Sequence, residues 1–329
     1  VSKSSVSNYL NGKDERLGEA TKARIRDAAE RLNYSPSLGA RRLSTKSASR
    51  TIGAVIRHDL GYMFRTRYFT EVMAGIGEAC GQLGYRVILV SSLAGRPSED
   101  IEYALSLSRG IVDGFLLFEL EENDPYVAAF ERSQVPYVCY GRPEDESLSR
   151  WVSSDHEGGV AAAVEHLWGH GHRRMALFPG LSGSLIASRR AAGFRDALAR
   201  LGASADEFLV RYGYSAEADL YPEYLRILSL GAAGPTALVF PQAHLGAYAR
   251  ALEAAGRAAS PPAVVLADYF PSDEYETTPY AYLRGHIRQV GLRGAVRLID
   301  GLEGRPVGQG EFFPTELIAG TSCGCGRGA

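Results

Sequence analysis

From Thr51 onward, apolar runs of strand length alternate with stretches of helical period, and this alternation restricts the chain more than any other feature. The strand-like runs are TIGAVI (51–56), RVILVSS (86–92), GFLLFE (114–119), YVCYG (137–141), RMALFPG (174–180), TALVFP (236–241) and AVVLADY (263–269). Helical periods lie between most of them, over Phe69–Leu83, Gly158–Gly169, Ser188–Leu201 and Ala243–Ala255. The runs are continuously apolar, which predicts parallel strands covered by helices on both faces. Seven or more such strands exceed one comfortable sheet. The expected fold is therefore α/β, with two doubly wound parallel-sheet subdomains behind a small all-α head.

The head has a different texture. VSKSSVSNYLNG puts Val6 and Leu10 four apart on one helical face, with Ser2 placed to cap and Gly12 to stop the run. Its remaining side chains, Lys3, Ser4, Ser7 and Asn8, are short or basic and could hydrogen-bond base edges or phosphates. A plain amphipathic helix has the same look. GEATKARIRDAAERLNY predicts a second helix on Ile25, Ala28, Ala29 and Leu32, with Gly18 at the cap. SPSLGARRLSTKSASR reads as a linker with a conditional helix over 37–43, in which Gly39 costs about 1 kcal/mol. Val1–Arg50 carries 11 Lys and Arg against 5 Asp and Glu, a balance of +6, whereas the rest carries 25 against 33, or −8. A basic head on an acidic body suits a polyanion-binding module joined to a domain with another task.

No stretch approaches the roughly 18 unbroken apolar residues of a membrane span, and the residues at the present start do not read as a signal peptide. The four cysteines, Cys80, Cys139, Cys323 and Cys325, are too scattered for a disulfide framework, so a reducing cytoplasm is expected. Cys323 and Cys325 lie in a Gly-rich tail with no second pair or histidine near in sequence, and no metal is assigned to them. EHLWGHGHRR holds His166, His170 and His172, but the Gly and Arg residues around them are the chemistry of a helix end, which is the preferred reading over metal ligation.

Ligands of doubly wound sheets bind beyond the carboxyl ends of the strands. The residues there are Arg57, His58, Asp59, Ser91, Ser92, Glu119 and Arg142 in the first half, and Gly180–Ser184, Gln242 and Asp268 in the second. These groups suit a small polar ligand between two halves, although each could be an ordinary loop residue. GLSGS (180–184) is neither a nucleophile elbow nor a phosphate loop, and GIGEACG (75–81) has the wrong spacing for a dinucleotide site.

VSKSSVSNYLNG, EATKARIRDAAERLNYSPSLGARRL, DHEGGVAAAVEHLWGHGHRRMALFPG, RRAAGF with Arg190, Gly193 and Phe194, and RLIDGLEGRPV, in that order, resemble the lactose/galactose-repressor (LacI/GalR) family of bacterial transcription regulators. The resemblance covers essentially the whole chain. It implies that the first helix here is the second member of a helix-turn-helix whose first helix is missing, so the sequence is expected to be amino-terminally truncated. It makes Lys3, Ser4 and Asn8 base-facing, sets Ser5 and Ser7 nearer phosphates, and puts Arg41, Arg42 and Leu43 in a hinge helix with a minor-groove wedge. Gly39 departs from the larger residue usual there.

The same resemblance implies a head over 1–35, a hinge over 36–50, and a core of two subdomains similar to periplasmic sugar-binding proteins, 51–154 with 285–313 and 155–284 with 314–329. Effector contacts are expected from Tyr68, Phe69, Ser92, Glu119, Arg190 and Asp268, with Arg190 and Asp268 suited to hydroxyl groups. Thr66-Arg67 and Pro241-Gln242 depart from the family's pattern, so an anionic or otherwise unusual effector is considered beside a sugar. The implied protein is a cytoplasmic, homodimeric repressor that binds palindromic operator DNA under effector control, with no cofactor and no enzymatic activity. A transport solute-binding protein is the alternative, opposed by the basic head. An α/β enzyme would need a nucleophile, metal or cofactor loop that the motifs do not supply.

Overall fold

The computed structural model describes residues 1–10, 14–34, 48–57, 60–92, 96–145, 147–203, 208–210, 220–268 and 278–325. The head contributes α1 (Lys3–Leu10) and α2 (Glu19–Arg31). The Ser5 amide donates to Ser2 Oγ at 3.0 Å, so Ser2 caps α1 as its position predicts. Gly18 precedes α2 in extended conformation, and Lys22 ties the entry down by ion pairs to Asp14 (3.2 Å) and Glu19 (2.9 Å).

The core then runs β1 (Thr51–Ile56), α3 (Leu60–Arg65), α4 (Arg67–Leu83), β2 (Arg86–Ser91), α5 (Pro97–Ser108), β3 (Gly114–Leu117), α6 (Pro125–Ser133), β4 (Tyr137–Tyr140), β5 (Trp151–Ser154) and α7 (His156–Gly169). It continues through β6 (Met175–Leu177), α8 (Leu185–Arg200), β7 (Phe208–Val210), α9 (Leu220–Leu228), β8 (Ala237–Phe240), α10 (Leu245–Ala254), β9 (Ala263–Leu266), β10 (Ala281–Gly285), α11 (Ile287–Leu302), β11 (Glu311–Phe313) and β12 (Thr315–Ile318). One sheet has the order β11-β5-β4-β3-β1-β2 and the other β12-β10-β9-β8-β6-β7. Every pairing is parallel except β10 with β12, which is antiparallel. The expected pair of doubly wound α/β sheets is thus the observed fold.

Alternation along β1 shows why each sheet needs helices on both faces. Ile52, Ala54 and Ile56 pack with α4 and α11, while Val55 points into a separate cluster with Phe115, Leu117 and Phe130. The second sheet is likewise packed on both faces, by α7 and α8 on one and α9 and α10 on the other. The chain passes between the sheets three times: from β5 into α7, from β10 into α11, and from β11 through Pro314 into β12. No helix among the described residues is long and apolar enough to cross a membrane.

Two helix pairs approach so closely that only glycine fits. A Cβ on Gly75 of α4 would lie 2.0 Å from the Arg288 carbonyl oxygen, and one on Gly291 of α11 would lie 2.2 Å from that of Val72. In the other lobe, a Cβ on Gly193 of α8 would meet the Glu157 carbonyl oxygen at 2.2 Å. GIGEACG therefore lies within α4, as its sequence reading held, and its first glycine serves helix packing.

Candidate functional site

The carboxyl ends of both sheets face each other, and the charged groups there form a balanced set. Arg190, on α8 and nearly buried, donates to Asp268 Oδ2 at 2.9 Å and to the Pro179 carbonyl oxygen at 3.0 Å. Asp268 also accepts the Gln242 amide at 2.8 Å, which fixes the carboxylate before any ligand arrives. Across the cleft, Arg57 pairs with Asp124 at 2.5 Å and lies 4.7 Å over the Tyr126 ring. Asp124 in turn caps α6 by accepting from Tyr126 and Val127. Arg57 therefore holds the loop after β3 in place.

Tyr68 connects the two halves electrostatically. Burial raises its hydroxyl pKa above the ordinary range, with the Glu119 carboxylate from its own lobe, then Arg190 and Asp268 from the other, acting on it as well. His156, the first residue of α7, stands in the same field. Burial and the Arg190 cation push its pKa down to about 3 against the opposing pull of Asp268, so it is a neutral imidazole at physiological pH.

A latch spans the cleft. The Leu185 amide donates to the Leu120 carbonyl oxygen at 2.9 Å, and the Glu122 amide to that of Gly183 at 3.1 Å. Ser188 Oγ donates to Glu122 Oε1 at 2.8 Å. The segment GLSGS thus serves neither as an elbow nor as a phosphate loop; it joins the second lobe to the loop after β3. Beside the latch is a small pocket, partly open to solvent, walled by Leu120, Tyr140 and Ser154 on one side and by His156, Leu185 and Arg189 on the other.

Of the effector residues expected from sequence, Tyr68, Glu119, Arg190 and Asp268 share one electrostatic environment. Ser92 lies at the end of β2 with its hydroxyl 3.4 Å from that of Tyr126. Phe69 differs from expectation: it is fully buried, packed edge-on against Phe64 and Phe118, because its position on α4 points it into the lobe core. It supports the cleft wall and does not face the cleft. None of the six lines the pocket beside the latch. His156, absent from the sequence reading, is common to the pocket and the charged cluster; its signal was its place directly after the Asp155 helix cap. On the head, Lys3, Ser4, Ser7 and Asn8 are exposed on α1 and Ser5 is half-buried. Arg41, Arg42 and Leu43, like His58 and Asp59, lie outside the described residues.

A second buried imidazole, His244, accepts or donates a 3.0 Å hydrogen bond with the Tyr224 hydroxyl. Burial lowers its pKa to about 4, with Asp268 opposing and Arg190 reinforcing the shift. The unfolded chain takes up this proton near pH 6.5 and the native protein only near pH 4, so the unfolded state binds more protons between these values. Its contribution to stability is complete above about pH 6.5 and falls as pH drops toward 4, by about 3 kcal/mol at the lower limit. His156 acts in the same direction. The midpoint of urea unfolding is expected to fall more steeply between pH 7 and 4.5 in the native sequence than in His244→Gln; parallel slopes would refute the assignment.

Residues 49–270 match the family described as periplasmic binding proteins and sugar binding domain of LacI family. The HTH-type transcriptional regulator CelR of Thermobifida fusca is 32% identical over 216 residues, which cover 65% of this chain and 62% of CelR. The matched part is thus less than two thirds of that relative. The solved complex of the transcriptional regulator CelR with cellobiose has a TM-score of 0.72 at 26% identity, covering 97% of this chain and 95% of that one. A Lac repressor dimer bound to operator and the anti-inducer ONPF reaches a TM-score of 0.74 at 23% identity, covering 97% and 94%, a likeness of fold alone. By its sheet order, by the matched residues and by the company of regulators in which both comparisons set it, the chain belongs to the LacI family of transcriptional regulators.

Proposed function

We propose that this protein is a DNA-binding repressor whose operator affinity is controlled by a small, neutral, hydroxyl-rich effector held between its two lobes. The observation that carries the reading is the charge balance of the cleft. Arg190 is neutralised by Asp268, Arg57 by Asp124 and Arg67 by Glu71, and Glu119 adds a further carboxylate. An anionic effector would meet no uncompensated cation among these groups, whereas sugar hydroxyls find both guanidinium donors and carboxylate acceptors. Cellobiose, bound in the CelR complex, is the first ligand to try.

We divide the chain into a head (1–35), a hinge (36–50) and two lobes that meet at Ser154–His156, Gly285–Ile287 and Phe313–Thr315. Changing the angle between the lobes would shift the population of molecules able to seat both heads on a palindromic site. Exposed Lys3, Ser4, Ser7 and Asn8 support the DNA reading of α1, and Ser5, Arg41, Arg42 and Leu43 complete the proposed contacts. The exposed face of α4 carries Thr70, Ala74, Gly77 and Gly81, small side chains that would admit a second copy at close range. The relatives are regulators and not enzymes, and we assign the protein to the cytoplasm, without cofactor or turnover.

Thermal-shift screening of cellobiose, other neutral saccharides, sugar phosphates and nucleobases tests the ligand class, with sedimentation of the same samples expected at dimer mass. Stabilisation by neutral saccharides is the expected result, and stabilisation by anions alone would overturn it. A palindromic duplex recovered by selection should lose or gain retention when the active saccharide is added. Retention indifferent to that saccharide would overturn the gating.

A further inference from the structure

The carboxyl-terminal turn brings together four metal-ligating side chains that are far apart in sequence. His166, in the last turn of α7, and His170, its C-cap, are four residues apart, and their rings lie together with centroids 4.7 Å apart. Cys325 Sγ lies 3.5 Å from His166 Nε2 and 3.2 Å from His170 Nε2. With Cys323 included, the ligand atoms of all four side chains lie within 4.8 Å of one another. A tetrahedral zinc at ordinary bond lengths holds sulfur and nitrogen donors roughly 3.3–3.8 Å apart. Small side-chain adjustments therefore suffice to close the shell.

The sequence reading gave these histidines to the helix end and left the cysteines without partners. The structure does place His166 in the last turn and His170 at the C-cap of α7, and it sets both cysteines beside them. Arg173 caps the helix, donating to the Trp168 carbonyl oxygen at 2.7 Å with its guanidinium 3.9 Å over the Trp168 ring, and Gly171 leaves in the left-handed region at φ 86°. Neither imidazole is needed for that task, and both face the thiols.

The turn itself is held firmly. Ser322 Oγ donates to the Val264 carbonyl oxygen at 2.6 Å and accepts the Ala281 amide at 2.8 Å, which fixes the turn against β9 and β10. Gly324, at φ 96°, reverses the backbone so that exposed-side Cys325 returns beside buried Cys323. A Cβ on Gly320 would lie 2.5 Å from the Tyr280 carbonyl carbon, so the chain is pressed against β10 just before the turn.

We propose that His166, His170, Cys323 and Cys325 form a structural zinc site that clamps the end of α7 to the carboxyl-terminal turn. Binding releases the two thiol protons to solvent, and two thiolates with two neutral imidazoles give an uncharged Zn(II) centre, suited to a partly buried place. The clamp closes a loop of more than 150 residues, between His170 and Cys325. It also anchors the far end of the helix whose first residue, His156, stands in the cleft.

The test uses the 329-residue chain grown with added zinc and purified in a phosphine reductant, with both thiols verified as free. Elemental analysis is expected to find about one zinc per chain. Cobalt added to the metal-free protein should give the visible bands of a tetrahedral site together with thiolate-to-cobalt charge transfer in the near ultraviolet. Cys325→Ser and His170→Gln, both at the protein surface, should keep the native circular dichroism while zinc affinity falls at least about tenfold. Reduced native protein that neither holds zinc nor yields a tetrahedral cobalt spectrum would overturn the proposal. So would variants that bind zinc as tightly as the native chain, or a Cys323–Cys325 disulfide that persists at a cytosolic glutathione potential.

Discussion

Arg190→Met is expected to reduce effector affinity about 100-fold and to destabilise the second lobe by about 3 kcal/mol. The side chain is 7% exposed and its partner Asp268 28% exposed, so removing the guanidinium leaves a largely enclosed carboxylate with only the Gln242 amide to balance it. Arg190 also holds the Pro179 carbonyl oxygen, and through it the strand end that leads into the latch. The double variant Arg190→Met/Asp268→Leu separates the two effects. Replacing both charges by apolar groups should recover most of the stability, because no unpaired charge remains, yet should not recover binding. Urea unfolding and titration calorimetry read the two quantities, and effector binding by Arg190→Met at native affinity would remove this residue from the site.

A second large effect is expected far from the cleft. Gly291→Val should destabilise the first lobe by about 3 kcal/mol or more. The new Cβ would fall 2.2 Å from the Val72 carbonyl oxygen, and backbone in the middle of α4 cannot move aside without parting the helices. Separation would also lengthen the 2.7 Å hydrogen bond from the Tyr140 hydroxyl to the Gly291 carbonyl oxygen. Gly301→Ala near the end of the same helix is the control: its Cβ would meet only the Val307 side chain, at 3.5 Å, and stability should hold or rise slightly. Equal unfolding midpoints for Gly291→Val and the native chain would contradict the close crossing.

Six of the seven apolar strands were legible because each is buried on both faces, so nearly every residue in it is apolar; β2, at a sheet edge, is mostly half-exposed or exposed, yet its run RVILV still holds four apolar side chains in succession. β5, β7, β10, β11 and β12 were not legible, and the reason is their shortness and position, β7 being a three-residue edge strand. WVSS, AYLRG, EFF and TELI are short, polar or half-exposed strands at or near the sheet edges where the chain changes lobe, so no continuous apolar run marks them. α11 is absent from the helical periods read in the sequence; its Gly291 and Gly294, which weaken a helix locally, admit Val72 and Tyr140 in the fold.

The candidate site divides in the same way. Asp268 was accessible because it follows a recognisable strand end, whereas Arg190, inside a helix, was reached only through the family resemblance of RRAAGF. Phe69 was assigned to the cleft with its neighbour Tyr68, yet adjacent residues on a helix point about 100° apart, and the turn of α4 sends one to the cleft and the other to the core. Arg67, the cation introduced at the Thr66-Arg67 departure, suggested an anionic ligand, but in the fold its guanidinium pairs with Glu71 at 3.2 Å.

By itself, the order of residues determined the α/β alternation, the need for two sheets, the basic head and the capped ends of its helices, since each depends on periodicity or charge within a few turns of chain. Tertiary structure alone decided that His156 enters the cleft, that Gly183–Leu185 latches onto Leu120–Glu122, and that Cys325 meets His166 and His170. Those contacts join segments tens to more than a hundred residues apart, and their energies depend on distances that only the packed lobes define.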